Sequence, residues 1–112
     1  MTKILVIKTN DRFEKIICEG HTGYGVQGED IVCSAVSSIV QTAALGMLTV
    51  AAAPVSVIRD DEKAYFEIVI PGNLSQDVMH DVQVIFGTML CGISDLAEEY
   101  SDFIELEVQN VY

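Results

Sequence analysis

Basic residues are scarce in this sequence and stop early. All six (Lys3, Lys8, Arg12, Lys15, Arg59 and Lys63) lie before residue 64, Glu67 to Glu107 bring nine acids with no Lys or Arg among them, and the net charge is −11. Such a chain repels nucleic acid, whose binding depends on neutralising phosphates, and attracts a basic partner. The same charge also serves solubility alone. Cysteine is sparse as well: Cys18, Cys33 and Cys91 contain no C-x-x-C pair. Three thiols without regular spacing argue against a disulfide framework and for a reducing compartment. The apolar runs are interrupted before the roughly 18 residues a membrane span needs, and MTKILVIKTND turns acidic too soon for a signal peptide. The expectation is a cytoplasmic protein with no membrane and no direct nucleic-acid contact.

What is present suits one domain over residues 1–112, with half the residues apolar and 21% charged. No linker, low-complexity tract or short repeat divides it. Ile4 to Lys8 and Phe13 to Glu19 read as strands joined by the polar turn Thr9-Asn10-Asp11-Arg12. From Ile31, the apolar positions Ile31, Ala35, Ile39, Val40, Ala43, Ala44, Met47 and Leu48 recur at helical spacing, with Asp30 as N-cap and a stop near Ala52 or Ala53 before Pro54. Val55 to Arg59 and Ala64 to Ile70 form a second hairpin. Val78, Val82, Ile85, Phe86, Met89, Ile93, Leu96, Ala97 and Tyr100 make one stripe of a second helix, capped by Asn73 or Ser75. Phe103 to Val108 is a half-buried strand. The order β-β-α-β-β-α-β predicts an α+β fold, a mostly antiparallel sheet with two helices packed on one face.

Glycine is concentrated where the chemistry is richest. Gly20, Gly23, Gly25 and Gly28 fall within nine positions, between a strand and a helix that carries Cys33 near its start. Such a loop is suited to bend or close over a ligand. Gly23-Tyr24-Gly25-Val26-Gln27-Gly28 matches G-x-G-x-x-G, but Glu29 and Asp30 put negative charge where a pyrophosphate would sit, and the flanking strands read as hairpins. Cys18, His21 and Cys33 have soft donor atoms, yet a fourth ligand is missing, so no metal or cofactor is expected. His21 and Cys33 also suit a nucleophile and base, the helix start supplying N–H groups that stabilise a thiolate. The plain alternative is a packed cysteine and a surface histidine. Cys18 and Cys91 read as core residues of strand and helix, and His80 as solvated.

Gly20-His21, the glycine-bearing loop, Gly28, Asp30-Ile31-Val32-Cys33 and Ser37 resemble the ribosomal-processing cysteine protease family (Prp), in which Gly-His is followed twelve residues later by the Cys of Asp-Ile-Val-Cys; here the same interval separates His21 and Cys33. Thr22 and Ser34 depart from the small residues expected there. The resemblance implies Cys33 as nucleophile, His21 as its base, Asp30 and Ser37 in support, and Gly20, Gly23, Gly25 and Gly28 as a substrate loop. It further implies a homodimeric cytoplasmic enzyme that removes an N-terminal extension from a basic large-subunit ribosomal protein, which agrees with the charge argument. The competing class is a non-catalytic acidic module that binds a basic ribosomal protein or assembly factor, with Cys33 merely buried.

Overall fold

In the computed structural model, residues 1–20 and 29–112 are described, with side chains from residue 31 onward in the second span. Thr2, Ile4 and Val6 alternate with Lys3, Leu5 and Ile7, and this two-residue period gives strand β1 (Thr2–Thr9), whose first set is buried. Asn10 and Asp11 both adopt positive φ, 50° and 66°, the conformation whose twist suits a two-residue hairpin. Strand β2 (Arg12–Gly20) returns antiparallel, with Cys18 opposite Ile4 and Ile16 opposite Val6. Helix α1 (Glu29–Leu45) follows and runs on into a π-helical turn, Gly46–Val50. Strands β3 (Ser56–Asp60) and β4 (Tyr65–Val69) form the second hairpin, and helix α2 (Gln76–Glu99) leads to strand β5 (Ile104–Val111).

The sheet order is β3-β4-β2-β1-β5, antiparallel except for the β1–β5 pair. This is the expected fold class, with a parallel edge that strand patterning could not specify. β2 to β3 and β4 to β5 are both parallel crossovers, through α1 and α2. They leave from antiparallel strands and run in opposite directions across the sheet, so the right-handed rule places both helices on one face. The core lies between them: Ile4, Val6, Ile16 and Ile68 from the sheet meet Val36, Val40, Val82, Phe86 and Ile93 from the helices. Each such large side chain, once buried, contributes roughly 1.5–3 kcal/mol of transfer free energy.

Three expectations need correction. The inward row of α1 keeps the expected Val40, Ala43, Ala44 and Met47 but begins with Val32 and Val36 in place of Ile31 and Ala35, and Ile31 is 74% exposed. Alanine and serine at so many positions made the two rows nearly equal in apolar content, and the sheet decides between them. Cys91 is exposed, because it lies between Met89 and Ile93 on the opposite side of α2. The run Ile31–Val50 is long and apolar enough to cross a membrane by length and composition, contrary to the reading of interrupted apolar runs. Its buried residues pack in the domain core, as those of an internal helix do.

A β-bulge falls between Ile7 and Lys8, and the ladder of β2 with β4 stops at Lys15, so backbone groups of Phe13 are satisfied elsewhere. Gln83 of α2 supplies both partners: its Oε1 accepts from the Phe13 N–H at 2.8 Å and its Nε2 donates to the Phe13 carbonyl at 2.8 Å. Beside this clamp the Phe13 and Phe86 rings stack with centroids 4.6 Å apart. Ser75 caps α2, its Oγ accepting from the Val78 N–H. At the far end, hydrogen bonds from Asn110 and Tyr112 tie β5 to the first turn and hold the Asp11 carboxyl below its ordinary range. Gln83→Leu, which keeps the volume and removes both clamp bonds, is expected to lower unfolding stability by about 1–3 kcal/mol in a urea titration.

Candidate active site

Glu29 and Asp30 are already helical, so Asp30 is not the cap of α1. Cys33 is half-buried, on the flank of α1 between its inward row and solvent. Its Sγ lies 3.2 Å from Oγ1 of Thr2, a contact across 31 residues of sequence. Ser37, one turn further along, is exposed and shares the same groove. The groove has a volume of about 210 Å³ and lies between α1, the ends of β1 and β2, and the β3–β4 hairpin. Cys18, Val36, Val40 and Phe66 give it an apolar lining, and Glu19, Asp60 and Asp61 bring acids to its rim.

The single rim cation among the described lining residues is already engaged. Arg59 Nε donates to Asp61 Oδ1 at 2.7 Å and a terminal nitrogen donates to Gln41 Oε1 at 3.3 Å. The Asp61 hydrogen bond raises the guanidinium further above its ordinary range, so the charge stays fixed and paired. With three acids around one base, the rim favours a basic chain segment over an acidic one. The hairpin itself is held to β2 by the Gly20 N–H, which donates to the Ala64 carbonyl at 3.0 Å, Ala64 having a positive φ of 50°.

Of the residues expected at the site, Gly20, Cys33 and Ser37 line this one groove. His21, Gly23, Gly25 and Gly28 lie outside the described residues, as do the whole G-x-G-x-x-G match and the Asp30 side chain. Sequence reasoning missed Thr2, Gln41, Arg59 and Phe66. A hydroxyl at the inward position of an otherwise apolar row, Thr2 with Ile4 and Val6, was the one available signal. The other three depend on a hairpin packing beside a helix, which periodicity does not report.

An accessible thiol at the mouth of an apolar cleft, on a helix braced by a sheet, fits the class of cysteine-dependent hydrolases. Residues 1–105 match the model of the family described as cysteine protease Prp, and the chain belongs to that family. It is a cysteine protease, and the non-catalytic alternative is set aside. The ribosomal processing cysteine protease Prp of Staphylococcus aureus is 26% identical over 107 residues, covering 95% of this chain and 96% of that protein. The crystal structure of SMU.848 from Streptococcus mutans has a TM-score of 0.87 at 28% identity, covering 98% of this chain and 95% of that one. The S. aureus ribosomal processing protease Prp in complex with a substrate peptide has a TM-score of 0.85 at 22% identity, covering 96% and 99%.

The second thiol lining the groove behaves differently from the first. Burial pushes the Cys18 thiol from its ordinary 9.0 up to about 12. The folded state holds this proton more tightly than the unfolded chain, so the associated stability is whole below about pH 9 and is lost as pH rises toward 12. Urea unfolding at about pH 8 and about pH 10.5 should show a smaller alkaline loss for Cys18→Ala than for the parent protein. Equal losses would mean that Cys18 is not the group responsible.

Proposed function

We propose that this protease removes an N-terminal extension from a basic large-subunit ribosomal protein during ribosome assembly, with Cys33 as nucleophile and His21 as general base. The observation that carries the reading is a half-buried thiol on α1 opening onto a cleft with an apolar lining and acidic rim. That cleft suits an extended segment of a basic protein. Relatives described as ribosomal processing proteases, one bound to a substrate peptide and one covalently linked to a product peptide, support the same substrate class.

In this mechanism His21 takes the Cys33 proton and the thiolate attacks the scissile carbonyl carbon. The resulting oxyanion collapses, His21 returns the proton to the departing amine, and a thioester to Cys33 remains. Water, deprotonated by His21, then attacks the thioester, releasing the acid and restoring the thiol. Asp30 and Ser37 support this pair, and Gly20, Gly23, Gly25 and Gly28 are assigned to substrate binding by the family resemblance. No metal or cofactor takes part.

The reading extends to a cytoplasmic homodimer that touches neither membrane nor nucleic acid. The free state of Cys18, Cys33 and Cys91 supports a reducing compartment, and the charge of −11 supports a basic protein partner. A furrow of about 500 Å³ between α1 and α2, lined by Ile39, Val84, Ile85 and Met89, supports pairing of two copies through their helices. Leu45 and Val50 add exposed apolar surface on the same helical layer.

Incubated with the extended ribosomal protein, the purified enzyme should release the extension. Cys33→Ala should lower the rate by at least about 10³-fold, while Cys18→Ala and Cys91→Ala stay within a few-fold. Cleavage that survives Cys33→Ala in a pure sample would overturn the assignment. Val84→Glu should convert a dimer to monomers in sedimentation at micromolar concentration, and a parent protein that sediments as a monomer would refute the pairing.

A further inference from the structure

Among the described residues, the buried polar side chains are Thr2 and Glu67, and each is matched to a partner. Glu67 accepts from the Tyr65 hydroxyl and pairs with Lys15. Thr2, 5% exposed, has its hydroxyl on the sulfur of Cys33. We propose that Thr2 is the positioning residue for the nucleophile, its hydroxyl orienting the Cys33 sulfur toward the groove and donating a hydrogen bond to the thiolate. This rests on the reading of Cys33 as nucleophile.

The backbone around Thr2 leaves its hydroxyl little freedom. β1 is an inner strand, and Thr2 is paired with Gly20 of β2 on one side and Ile104 of β5 on the other. Its N–H donates to the Phe103 carbonyl at 2.8 Å. A β-branched side chain on such a strand is stiff at χ1, so the strand fixes where the oxygen points. Gly20 completes the arrangement: a Cβ built there would sit 3.0 Å from Thr2 Oγ1 and 3.5 Å from its Cα. A side chain at position 20 would therefore press on the hydroxyl that meets Cys33. The glycine that opens the substrate loop thus also leaves room beside the nucleophile.

The chemistry suits a hydroxyl in particular. Against the neutral thiol, either atom can donate; once the proton has left sulfur, only the hydroxyl can, and the contact becomes a charge-assisted O–H to S⁻ hydrogen bond. Valine has the same shape and no donor. Serine has the donor without the methyl.

The test is made in a Cys91→Ser background, because Cys91 is exposed and would otherwise take label. Iodoacetamide modification of Cys33 is followed by peptide mass, cleavage kinetics are measured in parallel, and urea unfolding checks that each variant is folded. Thr2→Val is expected to slow Cys33 alkylation by about 10- to 100-fold and to lower kcat by a similar factor with KM within about two-fold. Thr2→Ser is expected to rescue alkylation to within about three-fold of the parent. Gly20→Ala should slow alkylation in the Thr2 protein and have little further effect with Thr2→Val. Parent-like alkylation of folded Thr2→Val overturns the proposal, as does a Thr2→Ser protein as slow as Thr2→Val. If Thr2→Val does not fold, the proposal stands or falls on Thr2→Ser and Gly20→Ala: parent-like alkylation of Gly20→Ala overturns it, and slowed alkylation supports it. Loss of the alkylation effect tells against Thr2, whereas failure to cut the ribosomal protein with the alkylation effect intact tells only against the substrate.

Discussion

An inner strand clamped from both sides governs where the Cys33 sulfur sits. β1 is bonded along its length to β2 and to β5, so its first inward residue cannot shift without breaking two ladders. α1 lies across that strand end with Val32, Val36 and Val40 driven into the core. Cys33, next in sequence to Val32, is thereby carried to the margin of the buried row. It faces the hydroxyl of Thr2 on one side and open groove on the other. Hydrophobic burial sets the rotation of the helix, and a single polar contact sets what the thiol meets.

The two thiols lining the groove illustrate how position within one layer changes chemistry. Cys18 belongs to the inward row of β2 and sits opposite Ile4, where desolvation keeps it protonated far into the alkaline range. Cys33 stands at the layer's edge with water on one flank. The rim acids meet the solvent above them, and Asp61 and Gln41 occupy Arg59, so the positive charge nearest the cleft is paired. A cleft with an apolar lining and a net negative rim suits an extended segment of a basic chain.

Much of this was legible along the chain. The short apolar run from Ile4 marks a strand, and the long stripe of α2 buries one face, which a period of about 3.6 residues states directly. The element order followed, and so did Ser75 as a cap. α1 was harder: Ala and Ser on several sides made its apolar stripe ambiguous, and Ile31 was placed inward when Val32 is the buried neighbour. Cys91 was misplaced for the related reason that a small, weakly polar side chain reads as core wherever it falls.

The residues themselves settled that a strand pair, a helix bearing a thiol, a second hairpin, a long amphipathic helix and a last strand would occur in that order, because local periodicity and turn chemistry act over a few neighbours. They also marked Gly20, Cys33 and Ser37 through a resemblance that covers a short span. Only the tertiary arrangement brought Phe66 and Arg59 from a hairpin, Gln41 from a helix and Thr2 from the first strand to one cleft. Contacts between segments this distant are decided by which faces must be buried together, and no local pattern encodes them.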